Sequence, residues 1–119
     1  MKANDQLQEF YGTEQYHKFN NKCILTDGSL AMAERFKCWW LLDIIASYQG
    51  DKLDKEADGM QVWKLKVKDE KGVVTCTDGN YKLLRKHEVD YTDFPASEAE
   101  LWVEPLNSFH NVILLPSEH

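Results

Sequence analysis

Cys76, His87 and Asp43 are the side chains in this 119-residue chain whose types could combine into a catalytic set. A thiol becomes a nucleophile beside an imidazole base that a carboxylate orients, and Asp78, Asp90 and Asp93 lie close enough in sequence to supply one. Spacing works against the set. If Asp78-Gly79-Asn80 is a tight turn, counting outward sets Cys76 against Tyr81, Lys82 or Leu83, not against His87. Free cysteine is also among the most buried residue types, so an inert thiol and a sheet histidine explain the pair more simply. Asp43 sits between Leu42 and Ile44, with Ser47 one turn on. Such a carboxylate is solvated at a helix edge, hydrogen-bonded to a nearby donor, or functionally perturbed. No catalytic residue is assigned on this footing.

Other chemistries find less. The seven His and Cys residues show no metal-ligand spacing, and the six glycines stand singly, so neither a zinc site nor a phosphate loop is expected. Asp51, Asp54, Glu56 and Asp58 do not follow the calcium-loop pattern with its closing Glu. No cofactor and no metal is expected, and the lack of a recognisable catalytic constellation leans away from an enzyme without deciding it.

Charge carries more information. Residues 61–90 hold seven basic groups against five acidic ones, while residues 91–119 hold five acidic groups and no Lys or Arg. Lys64, Lys66 and Lys68 alternate with Trp63, Leu65 and Val67 and so share one face of a strand. Stacking modules for nucleic acid need aromatics on the basic face, and here Trp63 falls on the other. The net charge of −6 also opposes non-specific binding to nucleic acid or anionic membrane. Glu98, Glu100 and Glu104 form the acidic counterpart. Pro95 and Pro105 are expected to direct this tail away from the lysines, leaving it free to meet a basic protein partner. A protein partner is therefore favoured over nucleic acid, with Glu98, Glu100, Glu104, Lys64, Lys66 and Lys68 as the candidate binding residues.

The elements that must position these groups begin with Ser29–Gln49. Trp40, Leu41, Ile44, Ile45 and Tyr48 share a face at helical spacing, and Cys38, Leu42, Ala46 and Trp39 extend the apolar surface round it. This predicts one long buried helix, capped by Asp27 or Ser29 and ended by Gly50. Glu34, Arg35, Lys37 and Asp43 break its apolar run, so it is not a membrane span. Short helices are expected over residues 4–10 and after Thr13, and a mobile loop over Gly50–Gly59. From Gln61 the period turns to two. Strands are expected at Trp63–Val67, at Val73–Thr77 and along Tyr81 to Val89, with a hairpin turn at Asp69–Gly72 in which Gly72 takes the left-handed position. A helical turn at Ser97–Glu100 and two further strands, around Leu101–Val103 and Asn111–Leu115, complete the reading. The fold class expected is α+β, with N-terminal helices and one long central helix packed on a four- to five-stranded antiparallel sheet. Residues 1–119 are expected to form a single domain, helical over 1–50 and mainly sheet over 60–119. Three cysteines without a CxxC pair, and a start with no apolar leader, suggest the cytoplasm.

Seven segments together resemble a family of small proteins of unknown function from bacterial and phage genomes. They are Gly12-Thr13-Glu14-Gln15-Tyr16, Leu25-Thr26-Asp27-Gly28, Trp40-Leu41-Leu42-Asp43 with Ile45-Ala46-Ser47, Val62-Trp63-Lys64-Leu65, Asp78-Gly79-Asn80, Tyr91-Thr92-Asp93-Phe94-Pro95 and Leu115-Pro116-Ser117-Glu118. The resemblance implies a bacterial or mobile-element origin and carries over no activity. The function expected is binding of another macromolecule, as an inhibitor or accessory factor. The alternatives are a small hydrolase or transferase around Asp43, Cys76 or His87, and nucleic-acid binding through the Lys64, Lys66 and Lys68 face.

Overall fold

The computed structural model describes residues 1–119. Thr26 opens the first helix, because its hydroxyl accepts from the Ser29 N–H while the Ser29 hydroxyl accepts from the Thr26 N–H. Helix α1 runs Asp27–Arg35. It stops where Lys37 takes a left-handed backbone with φ of 52°. The N–H groups of Phe36 and Cys38 turn back to the carbonyls of Met32 and Ala33, both at 3.0 Å, and the second of these is the bond that closes a Schellman ending. Helix α2, Trp39–Ser47, starts afresh, and helix α3, Asp51–Ala57, follows Gly50. The single helix expected over Ser29–Gln49 is thus two helices, and the loop expected over Gly50–Gly59 is mostly a third. Only Leu53 and Ala57 give α3 a buried side, too little to show as periodicity among seven residues.

The strands are β1 (His17–Lys18), β2 (Cys23–Leu25), β3 (Gln61–Lys68), β4 (Lys71–Thr77), β5 (Leu83–Val89), β6 (Glu98–Pro105) and β7 (Asn111–Leu114). They form one seven-stranded sheet in the order β1-β2-β7-β6-β3-β4-β5. The expected sheet of four or five antiparallel strands is overturned in number and in sense. β2 and β7 run parallel, Cys23 beside Asn111 and Leu25 beside Ile113, while the other pairs are antiparallel. The α+β class itself stands. Three smaller expectations also fall. Residues after Thr13 lead into β1 and not a helix, Ser97–Glu100 belongs to strand β6 and its approach, and the left-handed positions of the β3–β4 turn are Asp69 and Glu70 (φ 53° and 63°). Gly72 instead lies buried in β4, where a Cβ would come within 3.2 Å of the Leu65 Cδ1.

Alternation along the strands sorts the sheet into two faces. Trp63, Leu65, Val74, Cys76, Leu101, Val103 and Ile113 join Met32, Ala33, Phe36, Leu41, Leu42, Ile45 and Leu53 in one core between sheet and helices. Trp40 and Ile44 sit at its rim and Trp39 is 39% exposed, so this part of the chain is not buried all round as its composition suggests. The opposite face carries Lys64, Lys66, Glu98, Glu100, Trp102 and Glu104. The first residues of the chain lie along β6 beyond the reach of β7: the Asn4 side chain donates to the Glu100 carbonyl (2.9 Å) and accepts from the Glu100 N–H (2.8 Å). No helix is long and apolar enough to cross a membrane.

Candidate functional site

A groove of about 530 Å³ runs between α2 and the outer strand β5. Trp40 and Asp43 enter it from α2, one helical turn apart; His87 and Val89 enter from β5; Tyr91 and Asp93 come from the segment that leaves β5. Each wall is fixed by its own packing. The Trp40 ring meets Phe94 edge-on at 6.4 Å, and Phe94 is buried against Phe36 at 5.7 Å. The Thr92 N–H donates to the Glu70 carbonyl (2.8 Å) and the Phe94 N–H to the Thr92 hydroxyl (3.1 Å), so the chain around Tyr91 is pinned on one side while Tyr91 itself stays 67% exposed. His87 shares a 3.1 Å hydrogen bond between its Nδ1 and the Tyr48 hydroxyl, and Tyr48 packs against the buried Trp63 at 5.7 Å.

Several carboxylates outside the groove are held by partners. Asp27 accepts from His17 Nε2 (2.8 Å) and the Glu14 N–H (2.9 Å), and the His17 bond, then the Glu14 one, lowers its pKa. Glu56 is lowered by the bond from Arg85 (2.8 Å) and Glu9 by the bond from Arg35 (2.8 Å). Glu118 accepts from the Gly28 and Leu115 N–H groups, both at 2.9 Å, and from the Thr26 hydroxyl at 2.6 Å. A carboxylate there also complements the positive end of α1. A Cβ on Gly28 would press on the Glu118 carboxylate and lie 2.7 Å from the Leu115 Cδ1, so a side chain there would push both aside. Asp43 and Asp93, by contrast, are exposed and make no hydrogen bond or ion pair, and no Lys or Arg lines their groove.

The sequence-derived candidates fall in three places. Asp43 and His87 share the groove. Cys76 does not reach it: it is buried opposite Arg85, one alternation away from the Val74–His87 pair, and burial pushes its thiol up to about 12. The register differs from the expected one because the turn after Thr77 extends to Lys82, with an irregularity between Cys76 and Thr77. Burial likewise raises Cys38 to about 12 and Cys23 to about 11. Lys64, Lys66, Glu98, Glu100 and Glu104 lie together on the open sheet face, with Lys68 at the end of β3. Lys64 stands opposite Glu100, with Nζ to Oε1 at 3.8 Å, and Lys66 stands opposite Glu98. Pro95 and Pro105 therefore do not turn the acidic tail away from the lysines; they bracket the strand that pairs with them. Glu104 instead takes His119 Nε2 at 3.1 Å, and the His119 ring packs on Trp102 at 5.3 Å.

Two features had no sequence signal. The approach to β5 on the groove side is an outer edge of the sheet, which only the strand order reveals. Gln49, Gln61, Asn111 and Asp54 form a polar network, the two glutamines buried and the other two half-buried, with Gln49 and Gln61 exchanging bonds of 2.8 and 2.9 Å and the Asn111 amide bridging Gln49 and Asp54 at 2.9 Å each. Trp63 Nε1 donates into it at 2.8 Å, so its polar groups satisfy one another. No group of three or more His, Cys, Asp or Glu side chains converges as a metal site would need.

Fold and groove together define an α+β protein with a mixed sheet and an acidic, aromatic-rimmed groove along one sheet edge. The chain belongs to a family of unknown function, DUF6876, whose model matches residues 1–119. No curated protein and no solved structure gives a match.

Proposed function

We propose that the chain is a non-enzymatic binding protein, an inhibitor or accessory factor in the cytoplasm of a bacterial host, and that it docks on another protein through the groove between α2 and β5. The observation that carries this reading is the pair of unpartnered carboxylates, Asp43 and Asp93, set beside the exposed ring of Tyr91 and the rim ring of Trp40. Aromatic anchors of this kind carry much of the energy of protein interfaces, and carboxylates beside them select a partner of opposite charge. The open sheet face, by contrast, meets much of its charge internally, since glutamates of β6 stand against lysines of β3. That face also supports the nucleic-acid reading less well, because carboxylates interleave with its lysines.

Partner capture from the native host, read by cross-linking and mass spectrometry, tests the assignment. Reversing Asp43 and Asp93 to Lys is expected to abolish capture and leave the melting temperature nearly unchanged, since both groups are solvated and unpaired. Capture that survives this change but is lost on reversing Glu98, Glu100 and Glu104 would move the site to the open sheet face.

A further inference from the structure

β5 pairs only with β4, so one whole side of it is unpaired. The phase of the ladders tells which backbone groups lie there. Glu100 turns both its N–H and its C=O toward Asn4, away from β3. In an antiparallel ladder, bonding direction alternates along each strand, so Ala99, Leu101 and Val103 bond to β3. Carried through the registers, Lys64 and Lys66 bond to β4, and Val74 and Cys76 bond to His87 and Arg85 of β5. The register between Gly72–Cys76 and Arg85–Val89 is regular. Lys86 and Glu88 therefore present N–H and C=O groups outward, with no partner among the backbone bonds of the chain. The groove with Trp40, Asp43, Tyr91 and Asp93 opens along this same edge.

We propose that the free edge of β5 takes up an extended basic peptide of a partner protein as an added strand, its backbone bonding to Lys86 and Glu88 and alternate Lys or Arg side chains reaching Asp43 and Asp93 across the rings of Trp40 and Tyr91. The proposal rests on the groove being the docking site. Strand addition of this kind draws affinity from main-chain bonds and specificity from alternate side chains. Charge complementarity selects the occupant: the groove holds carboxylates and no Lys or Arg, and guanidinium or ammonium groups also stack on the exposed Tyr91 ring and the half-buried Trp40 ring. A second copy of this chain fits less well, because it carries a net charge of −6 and would bring a like groove with it.

The test is an NMR titration of the full chain with a pool of short synthetic peptides that alternate Lys or Arg with Val or Thr. The expected result is that the amide protons of Lys86 and Glu88 shift and become protected from exchange, together with shifts at the Trp40 and Tyr91 rings. Methylating the peptide nitrogens that face the edge is expected to remove binding, and Asp43→Lys with Asp93→Lys to weaken it by about tenfold or more. Shifts confined to the groove side chains, with the two amides unmoved, overturn strand addition and leave the docking site intact. No response at either place overturns both, as does binding on the Glu98–Glu104 face. Protection of the two amides that grows with protein concentration alone shows self-pairing and overturns the basic-peptide partner.

Discussion

Asp27 shows how one residue can be read correctly in kind and wrongly in task. The segment Thr26-Asp27-Gly28-Ser29 has the composition of a helix cap, and the helix does begin there, but Thr26 and Ser29 do the capping while Asp27 ties down the strand before it. Nothing in the spacing of Glu14, His17 and Asp27 marks that bond, because it depends on β1 folding back on β2. The bond has a pH signature. The folded pKa of Asp27 is depressed, chiefly by His17, so its contribution to stability is present above the unfolded value of about 3.9 and is lost as pH falls through the lower folded value. Asp27→Asn is therefore expected to melt below the native protein at pH 5 to 6, by a gap that closes in strong acid. A melting series in pH checks this, and a gap unchanged into strong acid would mean that the charge is immaterial.

At the scale of elements, what was legible was periodicity and what was not was its interruption. Trp63, Leu65 and Val67 alternating with lysines gave β3 its true faces, and the buried side of α2 was visible in Leu41, Ile45 and Ala46. The break between α1 and α2 carries no Gly or Pro, so it could not be seen; Lys37 makes it alone by adopting a left-handed backbone. Lys37→Gly decides between the two forms. In a continuous helix glycine would cost about 1 kcal/mol, whereas at this left-handed position it is expected to be neutral or to stabilise by up to about 1 kcal/mol. Urea unfolding reads the sign. The acidic strand gives a second prediction. Glu100→Lys sets like charges opposite each other at Lys64 and removes the acceptor of Trp102 Nε1, 2.8 Å away. It is expected to lower stability by about 1 kcal/mol, part of which Lys64→Glu recovers. The sequence alone suggested a free acidic tail with no such cost.

At the scale of the molecule, strand order was out of reach because the parallel pairing of β2 with β7 joins Leu25 to Ile113 and leaves no local trace in either segment. The same order created the free edge of β5, since β6 and β7 turn back to fill the space between β2 and β3. The seven segments that carry the family resemblance do not all serve one site. Thr13-Glu14, Asp27-Gly28 and Leu115–Glu118 converge on the start of α1, whereas Trp40, Asp43, Tyr91 and Asp93 converge on the groove.

The place of β7 also sets a timetable for the chain's synthesis. Helices and hairpins near the start can form as they leave the ribosome, but β2 has its parallel neighbour, and α1 its Glu118 carboxylate, only after residues 111–118 have emerged. Until then the nascent chain carries an unsealed core, with Leu25, Val103 and the underside of α1 still facing water. A chain ended at His110 is accordingly expected to give no cooperative melting transition by circular dichroism.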